Sequence, residues 1–94
     1  MLSLEDKELL RRAVLEMLVE RAFIPHRQSA IRRRVATGLD FPFSDEDLEA
    51  ALEYQRQGGF VTFIYDPDGA TKWWHATRAG INLIERGPLP IQPA

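Results

Sequence analysis

Apolar residues recur at helical spacing in four stretches of the chain and at strand spacing in one. In the first stretch Leu9, Leu10, Ala13, Val14, Met17 and Leu18 fall three and four residues apart, the spacing of one helix face. Ser3 precedes them as an N-cap, with Asp6 three residues on as an approximate capping box. The pattern predicts a helix over about residues 4–21. Leu15 and Val19 widen its apolar stripe beyond what one small neighbour covers, and two readings account for them. Either they are buried within the chain, or they pack on a second copy as a homodimer through this first helix.

Phe23, Ile24, Pro25 and His26 form a short apolar run interrupted by proline, so this segment is an edge strand at most. A second helix is predicted over about residues 28–36, with Ile31 and Val35 one turn apart on its buried side and Gly38 placed to end it. At roughly 100° per residue, Arg33 points away from that side while Arg32 and Arg34 flank it. The three arginines therefore fan out. Phe41 and Phe43, on either side of Pro42, read as loop anchors on the core. Ser44 is the next N-cap, and Asp45, Glu46 and Asp47 suit the positive end of a helix dipole. That third helix spans about residues 45–57 and buries Leu48, Ala51 and Leu52, with the polar Gln55 on the same side.

After Gly58 and Gly59 the period changes. Residues 60–65 are β-branched and aromatic, Asp66-Pro67-Asp68-Gly69 is a turn signal, and residues 72–76 form a second strand, which together predict a β-hairpin. Thr77 then caps a short helix over residues 78–86 that buries Ile81 together with Ile84 or Leu83, and Gly87-Pro88 stops it. The last seven residues, 88–94, hold three prolines and read as an extended tail outside a domain of residues 1–87.

Composition narrows the class. A chain of 94 residues, 45% hydrophobic and 28% charged, makes one small core and is too apolar to be disordered. It has no apolar run near the roughly 18 residues of a membrane span, and its charged first eight residues lack a secretory pattern. The chain contains no cysteine, which excludes disulfides and thiolate chemistry and fits a cytoplasmic setting. The net charge of −2 conceals a segregation. Residues 1–39 carry eight basic and five acidic side chains, residues 40–66 one and seven, and residues 67–94 three and two. Such a chain presents a basic and an acidic surface, each suited to a partner of opposite sign.

The order helix, short strand, helix, helix, hairpin, helix resembles a winged-helix domain, an α+β and mainly helical fold in which a β-hairpin wing follows the third helix. Gly58-Gly59-Phe60-Val61 resembles the exit from the recognition helix in MarR-like and PadR-like bacterial regulators. Trp74-His75-Ala76-Thr77-Arg78-Ala79-Gly80 resembles their entry into the last helix, and some small phage-associated winged-helix proteins are similar as well. The resemblance spans about residues 4–87 and implies DNA binding, with the third helix in the major groove. The chain departs from the pattern at Ala76, where leucine is usual, at Gln55, where an aliphatic residue is usual, and in a short wing whose one basic residue is Lys72.

Two functional readings follow. In the first, a DNA-binding regulatory module grips the phosphates of double-stranded DNA through Arg27, Arg32, Arg33, Arg34 and Lys72. Against it stands the outward face of the third helix, where Glu46, Glu49 and Glu53 would meet phosphates first. In the second, that acidic face docks on a basic protein partner, with Trp73 as an aromatic anchor on the outer face of the hairpin. The bland alternatives are a solvated acidic face, arginines neutralised within the chain, and Trp73 stacked across the hairpin on Tyr65 or Phe63. Catalysis has little to rest on. His26 and His75 lack ligand-spaced neighbours, no glycine loop cradles a phosphate, and Ser29 and Ser44 read as caps or turn residues. No catalytic residue, metal or cofactor is expected.

Overall fold

The computed structural model describes residues 2–22 and 24–86. The proline-rich tail and its Gly87-Pro88 stop lie outside the described residues, as does Phe23. Seven elements follow one another: α1 (Leu4–Glu20), β1 (His26–Arg27), α2 (Gln28–Ala36), α3 (Asp45–Gln57), β2 (Val61–Tyr65), β3 (Lys72–Ala76) and α4 (Arg78–Arg86). The fold is α+β and mainly helical, with four helices and one three-stranded antiparallel sheet of order β1-β3-β2. The short strand expected to end at His26 starts there instead, two residues long, because Pro25 has no N–H to give to a ladder.

Side-chain caps fix the starts of α1 and α3. The Ser3 hydroxyl accepts from the Asp6 N–H at 3.0 Å. At α3 the capping box is complete: the Ser44 hydroxyl accepts from the Asp47 N–H at 3.1 Å, and the Asp47 carboxylate accepts from the Ser44 N–H at 2.9 Å. Two orphan donors of the first turn are thereby satisfied.

The core lies where α1, α2, α3 and the inner face of the sheet meet. Leu10, Val14 and Leu18 of α1, Ile31 of α2, Leu48 and Leu52 of α3, and Val61 of β2 are all but fully buried. Phe41 and Phe43 pack against this cluster from the α2–α3 loop, as their spacing around Pro42 predicts. Gln55 is buried among apolar neighbours because its amide donates to the Arg11 carbonyl of α1 at 2.9 Å. One buried amide thus pins α3 to α1 with its hydrogen bond made.

Strand register assigns the faces. Val61, Phe63 and Tyr65 pair with Ala76, Trp74 and Lys72, and His26 pairs with Trp74, so these residues share the face toward the helices. Thr62, Ile64, Trp73, His75 and Arg27 share the outer face. The turn between β2 and β3 is closed by the Asp68 carboxylate, which accepts from the Ala70 N–H at 2.8 Å, the Thr71 N–H at 3.0 Å and the Thr71 hydroxyl at 2.9 Å. Gly69 has a φ of 76°, the left-handed conformation the turn requires.

Helix α4 is held at the junction between α3 and β2. The Thr77 N–H donates to the Phe60 carbonyl at 3.0 Å, and the Thr77 hydroxyl donates to the Gly59 carbonyl at 2.7 Å while accepting from the Gly80 N–H at 3.2 Å. A Cβ at Gly80 would sit 2.1 Å from the Phe60 carbonyl oxygen and 3.1 Å from a Leu15 methyl. Leu15, 2% exposed, is therefore covered within the chain by α4. The first of the two readings thus accounts for Leu15, since α1 packs against α2, α3, β3 and α4, while Val19 is only partly buried. Of the apolar residues of α4, Ile81 and Ile84 are only half-buried and Leu83 is exposed, so the helix contributes less to the core than its spacing predicts.

Replacing Gly80 with alanine should destabilise the fold by about 1–3 kcal/mol, since the clash is with backbone that cannot rotate away. Thermal and urea unfolding would measure it, with a fall in Tm of several degrees expected. A Gly80→Ala variant as stable as the parent would show that α4 does not pack this closely.

Candidate functional site

The expected acidic face of α3 is present. Glu46 and Glu49 are exposed and have no ion pair or side-chain hydrogen bond among the described residues. Glu53, one turn after Glu49, is half-buried and differently placed. Its carboxylate accepts from Arg56 Nε at 2.8 Å and from the Gln57 amide at 3.3 Å, and a second Arg56 nitrogen completes a bidentate pair. Hydrogen bonds from Arg56 hold the Glu53 carboxyl well below its ordinary 4.5, at about 2. Glu49 and Glu53, like charges one turn apart, are thus relieved on one side by a cation of the same helix.

Beside this face a surface cleft of about 570 Å³ separates α3 from the hairpin and the start of α2. Its walls include Arg27 and Ser29 on one side, Glu49 and Glu53 on another, and Lys72 with Trp74 on the third. Lys72 does not project from the hairpin into solvent. Its ammonium lies 4.6 Å from the centre of the Phe63 ring and 5.7 Å from that of Trp74, in the cleft that Glu53 also lines. The two aromatic faces hold it there.

The arginines of α2 fan out as helical geometry requires, and two of the three meet acids. Arg32 donates to the Asp45 carboxylate at 2.8 Å and to the Phe43 carbonyl at 3.1 Å, with its guanidinium 5.1 Å from the Phe43 ring centre. Arg34 lies 3.4 Å from the Glu20 carboxylate of α1. Arg33 is exposed and has no ion pair among the described residues. Arg27 lies 4.8 Å from the ring centre of Trp73 on the outer face of the sheet. The candidate basic cluster is therefore not one surface: its members point to α1, to α3, to the sheet and to solvent.

Trp73 faces outward as expected, but its partners differ. Strand register puts Ile64 opposite it and pairs Phe63 with Trp74, whose rings are 5.0 Å apart on the inner face. Instead of stacking on Tyr65 or Phe63, Trp73 donates its indole N–H to the Asp66 carboxylate at 3.2 Å and carries Arg27 on its ring. Both interactions hold the side chain against the hairpin.

The residues that sequence reasoning missed are Asp45 and Asp66, which were counted as a helix-dipole acid and a turn residue and which instead neutralise Arg32 and tether Trp73. No spacing rule links positions 13 residues apart across a loop. Among the described residues no group of three His, Asp or Glu side chains is placed to hold a metal ion, and no helix is long and apolar enough to cross a membrane. No protein-family model matches the chain, nor does any curated protein or solved structure.

The carboxyl titrations test this geometry. Glu53, Asp47 and Asp68 all have lowered values, through Arg56, the Ser44 N–H, and the Thr71 and Ala70 N–H groups respectively. Because the folded values lie below the unfolded ones, what each contributes to stability is complete above the ordinary carboxyl range and is lost as pH falls through the folded value. In an NMR titration Glu53 should remain ionised until the pH approaches about 2, and Arg56→Gln should move its midpoint back toward 4.5. An unshifted Glu53 in the parent would remove the ion pair from the description of this face.

Proposed function

We propose that this chain is a winged-helix domain that acts without catalysis, docking the solvent face of α3 on a basic surface of a protein partner. The order of elements, the hairpin after α3 and the Thr77–Gly80 entry into α4 support the winged-helix reading. One observation carries the function: Glu46 and Glu49 are exposed and have no ion pair among the described residues, while Arg32 and Arg34, the natural phosphate contacts, are already engaged with carboxylates. Duplex DNA presents one negative charge per about 1.7 Å of axis, and a protein gains affinity by releasing counterions with Lys and Arg. A helix face of unpaired glutamates works against that gain. Placed against lysines or arginines of another protein, the same face gains both approach rate and register.

The DNA-binding reading retains one specific support. Arg33 has no ion pair among the described residues, and the exposed ion pairs of Arg32 and Arg34 contribute only about 0–1 kcal/mol each, so phosphates could recruit all three. It then uses the outer side of α2 and leaves α3 turned away from the duplex.

Fluorescence anisotropy with a labelled arginine-rich peptide and with a labelled random duplex, each at low and near-physiological salt, separates the two. Peptide binding that weakens with salt and is lost on replacing Glu46, Glu49 and Glu53 together by lysine is the expected result. Failure of the peptide to bind, or binding unchanged by the reversals, would overturn the proposal. Duplex binding with a Kd of about 10⁻⁴–10⁻⁶ M that disappears when Arg32, Arg33 and Arg34 become alanine would install the DNA reading in its place.

A further inference from the structure

The sheet order β1-β3-β2 leaves one side of β2 without a neighbouring strand. Two hydrogen bonds show which of its groups are involved. The Thr77 N–H donates to the Phe60 carbonyl, and the Asp66 N–H donates to the Thr71 carbonyl at 2.8 Å, so Phe60 and Asp66 both turn their main-chain groups toward β3. Antiparallel pairing alternates, and the register pairs Thr62 with His75 and Ile64 with Trp73 in the same phase. Val61, Phe63 and Tyr65 therefore turn their N–H and C=O groups to the open edge, and none of these groups has a hydrogen-bond partner outside the strand ladder among the described residues.

Edges of this kind are ordinarily blunted by a charge, a proline or a bulge. The strand Val61-Thr62-Phe63-Ile64-Tyr65 has neither charge nor proline, and its pairing with β3 is continuous. Its outer half is also open to solvent, with Ile64 57% and Tyr65 56% exposed.

We infer that this edge pairs with the same edge of a second copy, antiparallel about a twofold axis at Phe63, joining two three-stranded sheets into one of six. The register is self-complementary. Phe63 opposes its own copy and Val61 opposes Tyr65, so every pair is one in which both residues have free groups. Thr62 opposes Ile64 on the outer face, which covers the exposed Ile64 side chain. No charged side chain opposes a like charge, because the strand has none and Asp66 falls opposite Phe60. A second copy fits for that reason: the strand offers no charge with which to select a different partner, and the Phe63 axis is the one that engages Val61, Phe63 and Tyr65 of both strands. About five residues from each side make the contact, far fewer than in a standard interface, so the association is weak.

The inference does not use the α3 face and is tested separately from it. Sedimentation equilibrium of the full chain up to about 1 mM should show a reversible dimer. Amide exchange should show protection of Val61, Phe63 and Tyr65 rising with concentration, while Thr62 and Ile64 are protected at every concentration. Ile64→Lys, at an exposed position, should weaken dimerisation at least about tenfold with an unchanged melting temperature, by setting two ammonium groups near each other across the axis. A monomeric mass at the highest concentration overturns the inference. So does a dimer in which the three odd-numbered amides exchange freely, or one that is insensitive to Ile64→Lys, because it would be built on another face.

Discussion

The contact of α4 backbone with the Phe60 carbonyl sets how α4 closes over α1 and the base of the hairpin. With Gly80 at that point there is no Cβ to hold the helix away, and Thr77 binds both the Gly59 and Phe60 carbonyls. The exit from α3, the base of the hairpin and the start of α4 thus converge on four residues. The hydrogen bonds involved are worth about 1 kcal/mol each in net terms. What they fix is position, and position decides what α4 can cover. Leu15, facing Gly80 from α1, is buried as a consequence, and α4 adds to the enclosure that α2, α3 and β3 give α1.

Much of this was legible in the sequence because it depends on local rules. Ser3, Ser44 and Thr77 announce helix starts, Asp66 to Gly69 announces a turn, and the change of period after Gly59 announces strands. The helix boundaries fall within a residue of those the spacing predicts. What was not legible depends on long-range placement. Gln55 looked misplaced among apolar neighbours because its partner, the Arg11 carbonyl, is 44 residues away. The wide apolar stripe of α1 could be assigned to the chain or to a second copy only once α4 had a position. The partner of Trp73 turned on register: pairing with Ile64 excluded Phe63 and Tyr65, which stand one residue to either side and so face the other way.

The candidate site divides along the same line. Helical geometry alone predicts the outward set Glu46, Glu49 and Glu53 and the fan of Arg32, Arg33 and Arg34. It does not predict that Asp45 and Glu20 lie within reach of two of those arginines, since both contacts cross between helices. The basic charge of residues 1–39 is therefore spread over several directions, and part of it ties α2 to its neighbours.

The electrostatic comparison turns on which unpaired charges share a surface. Arg33 stands alone at the outward side of α2, Arg27 lies on the outer sheet face, and Lys72 is drawn over Phe63 beside the carboxylates of α3. Freeing Arg32 and Arg34 from exposed ion pairs costs little. It also releases Asp45 at the start of α3, however, and so adds a negative charge to a face that already has Glu46 and Glu49. Recruiting Arg32 or Arg34 to a phosphate thus uncovers a carboxylate near it. A basic partner meets the opposite situation, because its cations can take the places of Arg32 and Arg56 as well as those beside Glu46 and Glu49. The same arrangement of charges thus raises the cost of approach for a phosphate backbone and lowers it for a lysine- or arginine-bearing surface.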